Sequence, residues 1–383
     1  MRLALAVALA ATAVLAASCG GSKPAASAAE VAPAGTYLLI EGRPTAELER
    51  ALAFLPESAE LERLLARAIR LTGAGNRPTL AVLDRAGTRA VALVRPGDRK
   101  RLDKQLDDAG IAHAQVSGWT VFARDRASVD AVRHAKRRLA ATRWFHPGDG
   151  DVSFNRRLGT VFASARGDQA TATRIEPPQG ADAEHPLAAA IPADAVAAAA
   201  VHDGATVFGS LPFAAELKKG LGLETATLAA AAPGDAVLYA RSGVPAAGVT
   251  LLASGTDLAA ARRVVGELAP NVAGVPGAVG GVAATDVSLG PVDLFYGKVG
   301  RTIFVTDDPG ATLEPQASSL EPEGLPAENR AWAYLDVAHG LPALESLAAL
   351  AGTRLSPAFI TKLSSLHTLL AYRTRGALTV AVR

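Results

Sequence analysis

Two stretches of this sequence, TLAVLDRAGTRAVALVRPGDRKRLDKQL at residues 79–106 and AVLYARSGVPAAGVTLLASGTDLAAARRVV at residues 236–265, run through the same order of residue types. Each holds two runs rich in Val, Leu and Ala around a turn-like segment with Gly, then a Gly-Asp or Gly-Thr-Asp step into a run of helical spacing. In the first stretch the runs 79–83 and 89–94 flank DRAG, a hairpin signal, and a polar helix over 98–107 follows. Two further echoes keep the order: GWTVFARDRAS from Gly118 against GRTIFVTDDPG from Gly300, and LGTVFASARG from Leu158 against AWAYLDVAHG from Ala331. Three echoes in one order predict duplication of a unit of roughly 170 residues, too long for a solenoid repeat. Hairpins interleaved with helices predict an α+β fold, with antiparallel sheets and helices packed on one face.

Working outward, TYLLIEG from Thr36 reads as a strand, and Thr45 is placed to cap a helix over 46–55. A second helix is expected over 59–71, with Leu61, Leu64, Leu65, Ala68 and Ile69 on one face. A strand at 119–123 leads into a helix over 128–139 whose Val129, Val132, Ala135 and Leu139 face a core. The segment from Arg174 to Pro192, rich in Pro, Gly and Asp, marks the seam, giving a first repeat over 34–180 and a second over 181–383.

The N-terminus supplies an address. Arg2 precedes an uncharged run over 3–17, mostly Ala, Leu and Val, and VLAASCGGS around Cys19 resembles a bacterial lipobox. Residues 1–18 are read as a lipoprotein signal peptide, Cys19 as the lipidated first residue of the mature chain, and 19–33 as a flexible tether of small, polar and proline residues. The alternative is an ordinary signal-peptidase cut that removes Cys19, the only cysteine, with the leader. Downstream there is no apolar run of about twenty residues. The expected location is therefore the outer face of the cell membrane, in the cell envelope, with the lipid as the only membrane attachment.

The formal charge of +2 conceals an asymmetry, because residues 1–185 carry 26 Lys and Arg against 20 Asp and Glu, and residues 186–383 carry 13 against 17. The abundance of Arg over Lys and of Ala is usual for GC-rich genomes such as those of actinobacteria. The lipobox-like start, the stretch PGDAVLYARSGVPAAGVTLLASGTDLAAARRVVGEL from Pro233 and GKVGRTIFVTDDPGA from Gly297 together resemble a family of actinobacterial and cyanobacterial envelope lipoproteins catalogued as a domain of unknown function. The resemblance implies an exported, membrane-tethered protein with a duplicated body, and it brings no catalytic residues.

The sequence carries few signatures of chemistry. No Ser stands in G-x-S-x-G or S-x-x-K, and the histidines (His113, His134, His146, His185, His202, His339 and His367) are scattered. There is no H-E-x-x-H and no thiolate set for a metal. HPGDGD from His146 gathers one imidazole with Asp149 and Asp151 but lacks the remaining ligands of a calcium loop, so it reads as an exposed turn. GVPGAVGG over 274–281 has no phosphate-loop context and reads as a mobile loop. Asp307 and Asp308, with Asp125 in the corresponding place, read as capping groups rather than an acid/base pair. No catalytic, metal or cofactor-binding residue is therefore expected, and no cofactor.

The sharpest surface feature is the basic group Arg133, His134, Lys136, Arg137, Arg138 and Arg143, with Arg99, Lys100, Arg101 and Lys104 on the earlier helix. Arg133, Lys136, Arg137 and Arg138 are expected to contact an anionic lipid surface; the alternative is a solvated face balanced by Asp98, Asp103, Asp107, Asp108 and Asp130. Nucleic acid is not an expected partner of an exported, nearly neutral chain. The leading expectation is a non-enzymatic, lipid-anchored envelope protein with a binding or structural role. Its rivals are a carrier of an apolar or lipid-like ligand between the repeats, and an unrecognised or inactive hydrolase.

Overall fold

The computed structural model describes residues 27–383 except 42–44, 56–57, 60–78, 144, 146–150, 157–158, 210–214, 216–217, 220–221, 243–247, 290–291 and 351–353. The chain is a mixed α/β protein whose strands pair antiparallel, with eight α-helices among the described residues. It divides into two compact units, Met1–Glu176 and Pro177–Arg383. The expected helix over 59–71 lies almost wholly outside the described residues.

The first unit contains β1 (Leu38–Ile40), β2 (Thr79–Val82), β3 (Ala90–Val94), β4 (Ala112–Val116), β5 (Trp119–Ala123), β6 (Val152–Arg156), β7 (Gly159–Arg166) and β8 (Gln169–Ile175). Their pairings give the order β4-β5-β3-β2-β1-β6-β7-β8. Its helices are α1 (Ala46–Ala53), α2 (Arg99–Asp108) and α3 (Arg126–Arg133), each opened by a side-chain cap. Thr45 Oγ1 accepts from the Leu48 N–H at 3.2 Å, Asp98 from Arg101 at 3.0 Å and Asp125 from Ser128 at 2.8 Å. Such caps are worth about 1 kcal/mol each.

The pleat sends alternate residues to opposite faces. On one face Leu39, Ala81, Val91, Leu93 and Val121 pack with Val129 and Val132 of α3; on the other Ala92, Val94 and Phe122 pack with Leu102 and Leu106 of α2. The expectation of helices on one face is thus corrected. Both faces of these strands carry apolar residues, so each needs a cover.

Residues 27–33, read from composition as part of a flexible tether, belong to this core. Ala28, Ala29, Val31 and Ala32 are buried, Ala28–Glu30 forms a 3-10 turn, and the Leu139 N–H donates to the Ala32 carbonyl at 2.8 Å. The small side chains that suggest a linker are also what lets this turn lie close against its neighbours. The helix expected over 128–139 ends at Arg133. Beyond it, the backbone pairs with the incoming N-terminal segment, the Ala34 N–H donating to the Arg137 carbonyl at 2.9 Å.

The second unit contains β9 (Ala195–Val201), β10 (Ala236–Arg241), β11 (Gly248–Ser254), β12 (Val275–Val279), β13 (Val282–Leu289), β14 (Val292–Val299), β15 (Thr302–Thr306), β16 (Ala331–Asp336), β17 (Thr368–Thr374) and β18 (Ala377–Val382). Their order is β12-β13-β14-β15-β11-β10-β9-β16-β17-β18. The helices are α4 (Gly204–Gly209), α5 (Thr225–Ala231), α6 (Leu258–Leu268), α7 (Val337–Leu350) and α8 (Pro357–Ser364). Ala236, Ala253, Ile303 and Val305 pack with Ala261 and Val265 of α6. On the opposite face Val237, Tyr239, Leu252, Phe304 and Trp332 pack under Ala190, Ile191, Ala311 and Leu313. Residues 274–281, expected to form a mobile loop, make up β12 and its turn into β13, where Gly280 (φ 55°) and Gly281 (φ 84°) supply the positive φ at both central positions of a tight hairpin.

Candidate functional site

The predicted basic group does not stay together. Arg99, Lys100, Arg101 and Lys104 belong to α2, which covers the face opposite α3, and there Lys104 pairs with Asp108 at 2.9 Å and Arg99 with Asp103 at 3.7 Å. At the end of α3, Arg133, Lys136 and Arg137 are exposed and meet no carboxylate among the described residues. Their position suits cations, since the carbonyl end of a helix carries partial negative charge.

Arg138 departs from the sequence expectation. Its Nη1 donates to the Val31 carbonyl at 2.7 Å and the Val132 carbonyl at 2.6 Å, tying the buried N-terminal turn to the last turn of α3. A half-buried guanidinium engaged with two carbonyls is a clasp, not a surface contact. Charge counting along the sequence missed this because it cannot see which donors turn inwards.

Cys19, His146 and Asp149 lie outside the described residues. Asp151 Oδ2 accepts from the Ala165 N–H at 3.2 Å, and its carbonyl accepts from the Glu41 N–H at 2.7 Å. Glu41 is held above the ordinary carboxylate range by burial and, second, by the charge of Asp151. Asp125 caps α3, and Asp308 Oδ1 accepts from the Gly310 N–H at 2.8 Å, both as expected of capping groups. Asp307 accepts from the Val249 N–H, and burial raises its carboxyl against that bond.

A polar cluster in the second unit was not singled out from sequence, because its members are far apart along the chain. His185 Nε2 lies 2.8 Å from Asn329 Oδ1, and Asn329, 1 % exposed, donates through Nδ2 to the Pro326 carbonyl at 3.0 Å. With Asn329 oriented so, its oxygen accepts and His185 Nε2 carries the proton. Burial lowers the His185 pKa, with the Asn329 bond opposing, which keeps the ring neutral at neutral pH. Its Nδ1 is then a buried acceptor without a partner among the described residues. His202 Nδ1 meets Asp235 Oδ1 at 2.7 Å, and the His202 N–H donates to the Arg330 carbonyl at 3.0 Å. Among the described residues no Ser or Thr hydroxyl bonds a histidine ring, and no group of at least three His, Cys, Asp or Glu is placed to hold a metal ion. This cluster is suited to fastening the segment before β16 to the segment before β9, which Ala183 and Asn329 also join by a backbone pair at 3.2 and 3.1 Å.

No family model, curated protein or solved structure matches the chain.

Proposed function

We propose that this chain is an exported lipoprotein of the cell envelope, held by lipid on Cys19, whose body is two copies of one α+β unit with a binding or structural role rather than a catalytic one. The anchor and the export rest on the sequence around Cys19, and the observation that supports the duplicated body is a knot repeated in both units. In the first, the Thr36 N–H donates to the Pro33 carbonyl at 3.0 Å, the Leu139 N–H donates to the Ala32 carbonyl at 2.8 Å, and Pro33 bridges Arg138. In the second, Ala195 donates to Pro192 at 3.0 Å, Leu320 donates to Ile191 at 3.0 Å, and Pro192 bridges Ser319.

The strand orders support the same reading. From one edge of the first unit, β4-β5-β3-β2-β1-β6-β7-β8 corresponds place by place to β14-β15-β11-β10-β9-β16-β17-β18, and the hairpin of β12 and β13 is an addition between α6 and β14. Two of the sequence echoes need adjustment on this alignment. Gly118 is the second residue of its turn while Gly300 is the first, so Phe122 faces α2 whereas Phe304 faces away from α6; the letters agree one residue out of pleat. The strand β16 lies beside β9 as β6, not β7, lies beside β1.

Because residues 28–32 are buried in the first unit, folded chain begins within about ten residues of Cys19. Metabolic labelling with an alkyne fatty acid tests the anchor: the protein should be marked, and Cys19→Ala should abolish both label and maturation. Labelling that survives Cys19→Ala overturns the anchor, and stoichiometric capture by activity-based hydrolase probes overturns the non-catalytic role.

A further inference from the structure

We infer that the end of α3 and the following loop, presenting Arg133, Lys136 and Arg137, form the face by which the first unit docks on an anionic bilayer, with the N-terminal anchor delivering it there. The inference rests on the lipid-anchor reading and adds an orientation to it. Residues 32–34 pair with residues 137–139 through the Ala34–Arg137 and Leu139–Ala32 hydrogen bonds, so the N-terminal segment runs along the basic loop itself. The chain is bound into the core from Ala28 onward, and only residues 20–27 separate it from the anchored cysteine. Fully extended, eight residues span at most about 28 Å. A compact unit of about 150 residues is roughly 35–40 Å across, more than this tether reaches, so the unit cannot turn its far side to the lipid.

Charge selects the same face. Arg133, Lys136 and Arg137 have no carboxylate partner among the described residues, whereas on the opposite side of the sheet Arg99, Lys100, Arg101 and Lys104 of α2 are balanced by Asp98, Asp103, Asp107 and Asp108 at or in the same helix, with Lys104 on Asp108 at 2.9 Å and Arg99 on Asp103 at 3.7 Å. Of the acids on the adjoining segments, Asp130 of α3 is engaged by Arg126 at 3.3 Å, and Glu30 is exposed on the 3-10 turn. Arg138 takes no part, its guanidinium being turned inwards.

The test uses the full lipidated chain in vesicles of phosphatidylglycerol and phosphatidylcholine. Because Cys19 is the only cysteine and its thiol is consumed by the lipid, a fluorophore on Ala141→Cys, beside the basic loop, or on Lys104→Cys, on the opposite face, reports distance by energy transfer to a labelled lipid. Transfer should be stronger from Ala141→Cys than from Lys104→Cys, and the difference should shrink as salt is raised. Each surface cation contributes about a fivefold factor, so Arg133→Gln, Lys136→Gln and Arg137→Gln together should lower the ratio of docked to undocked protein on the order of a hundredfold. Equal transfer from the two positions, or an unchanged difference in the triple variant or in pure phosphatidylcholine, overturns the docking face while leaving the anchor standing. Reaction of Cys19 itself with the maleimide shows that no lipid occupies it, and overturns the anchor and the orientation with it.

Discussion

Replacing Arg138 by Met keeps the length of its aliphatic stem and removes its donors, which isolates the clasp between Val31 and Val132. Hydrogen bonds from a charged donor contribute about 1.5–3 kcal/mol each when buried. Arg138 is only half-buried, and the Val132 carbonyl still receives the Ala135 N–H at 3.4 Å, so solvent and that second donor reduce the loss. Val31 is fully buried, and among the described residues its carbonyl has no other hydrogen bond. We expect a loss of about 2–3 kcal/mol for Arg138→Met, against less than about 0.5 kcal/mol for the exposed Arg137→Gln. For a unit of this size that is a fall in Tm of roughly 5–10 °C. Urea and thermal melts followed by circular dichroism measure it, and hydrogen exchange should show faster opening of residues 28–34 and 137–139. Two variants that melt alike would refute the clasp and return Arg138 to the solvent-facing group suggested by the sequence.

Further outcomes follow from the same packing. Val31→Asp buries an unpaired charge where the side chain is fully enclosed, and should destabilise the first unit by several kcal/mol, seen as poor yield or a lowered urea midpoint. Gly204→Ala places a Cβ 2.1 Å from the Ala232 carbonyl oxygen and should cost at least about 1–3 kcal/mol, whereas Gly266→Ala, in α6 with nothing within 4 Å, should stabilise by about 0.5–1 kcal/mol; differential scanning calorimetry separates the two. Because folding lowers the pKa of His185, the folded state disfavours its proton: stability is unaffected above about pH 6.5, the unfolded value, and declines as pH falls below it towards the folded value. Glu41 and Asp307, raised by burial, push the other way at acid pH, so the prediction concerns the difference: His185→Gln should flatten the fall in stability between about pH 7 and 5, and an unchanged slope counts against a neutral buried ring.

What the sequence determined by itself is local. The turn chemistry of DRAG and the caps Thr45, Asp98 and Asp125 are set by residues within a few positions of each other, and each is found where the pattern places it. The tertiary structure decided the rest through contacts between distant segments. The Ala-rich run Ala195–Val201 has weak strand propensity and becomes a central strand because β10 and β16 bond it from both sides. Residues 28–33 have the composition of a linker and become core because the Leu139 N–H and the Arg138 side chain bond the Ala32 and Val31 carbonyls. Four bases adjacent in sequence separate into three that face water and one that clasps two carbonyls, since a side chain's partners depend on which segments meet around it rather than on its neighbours in the chain.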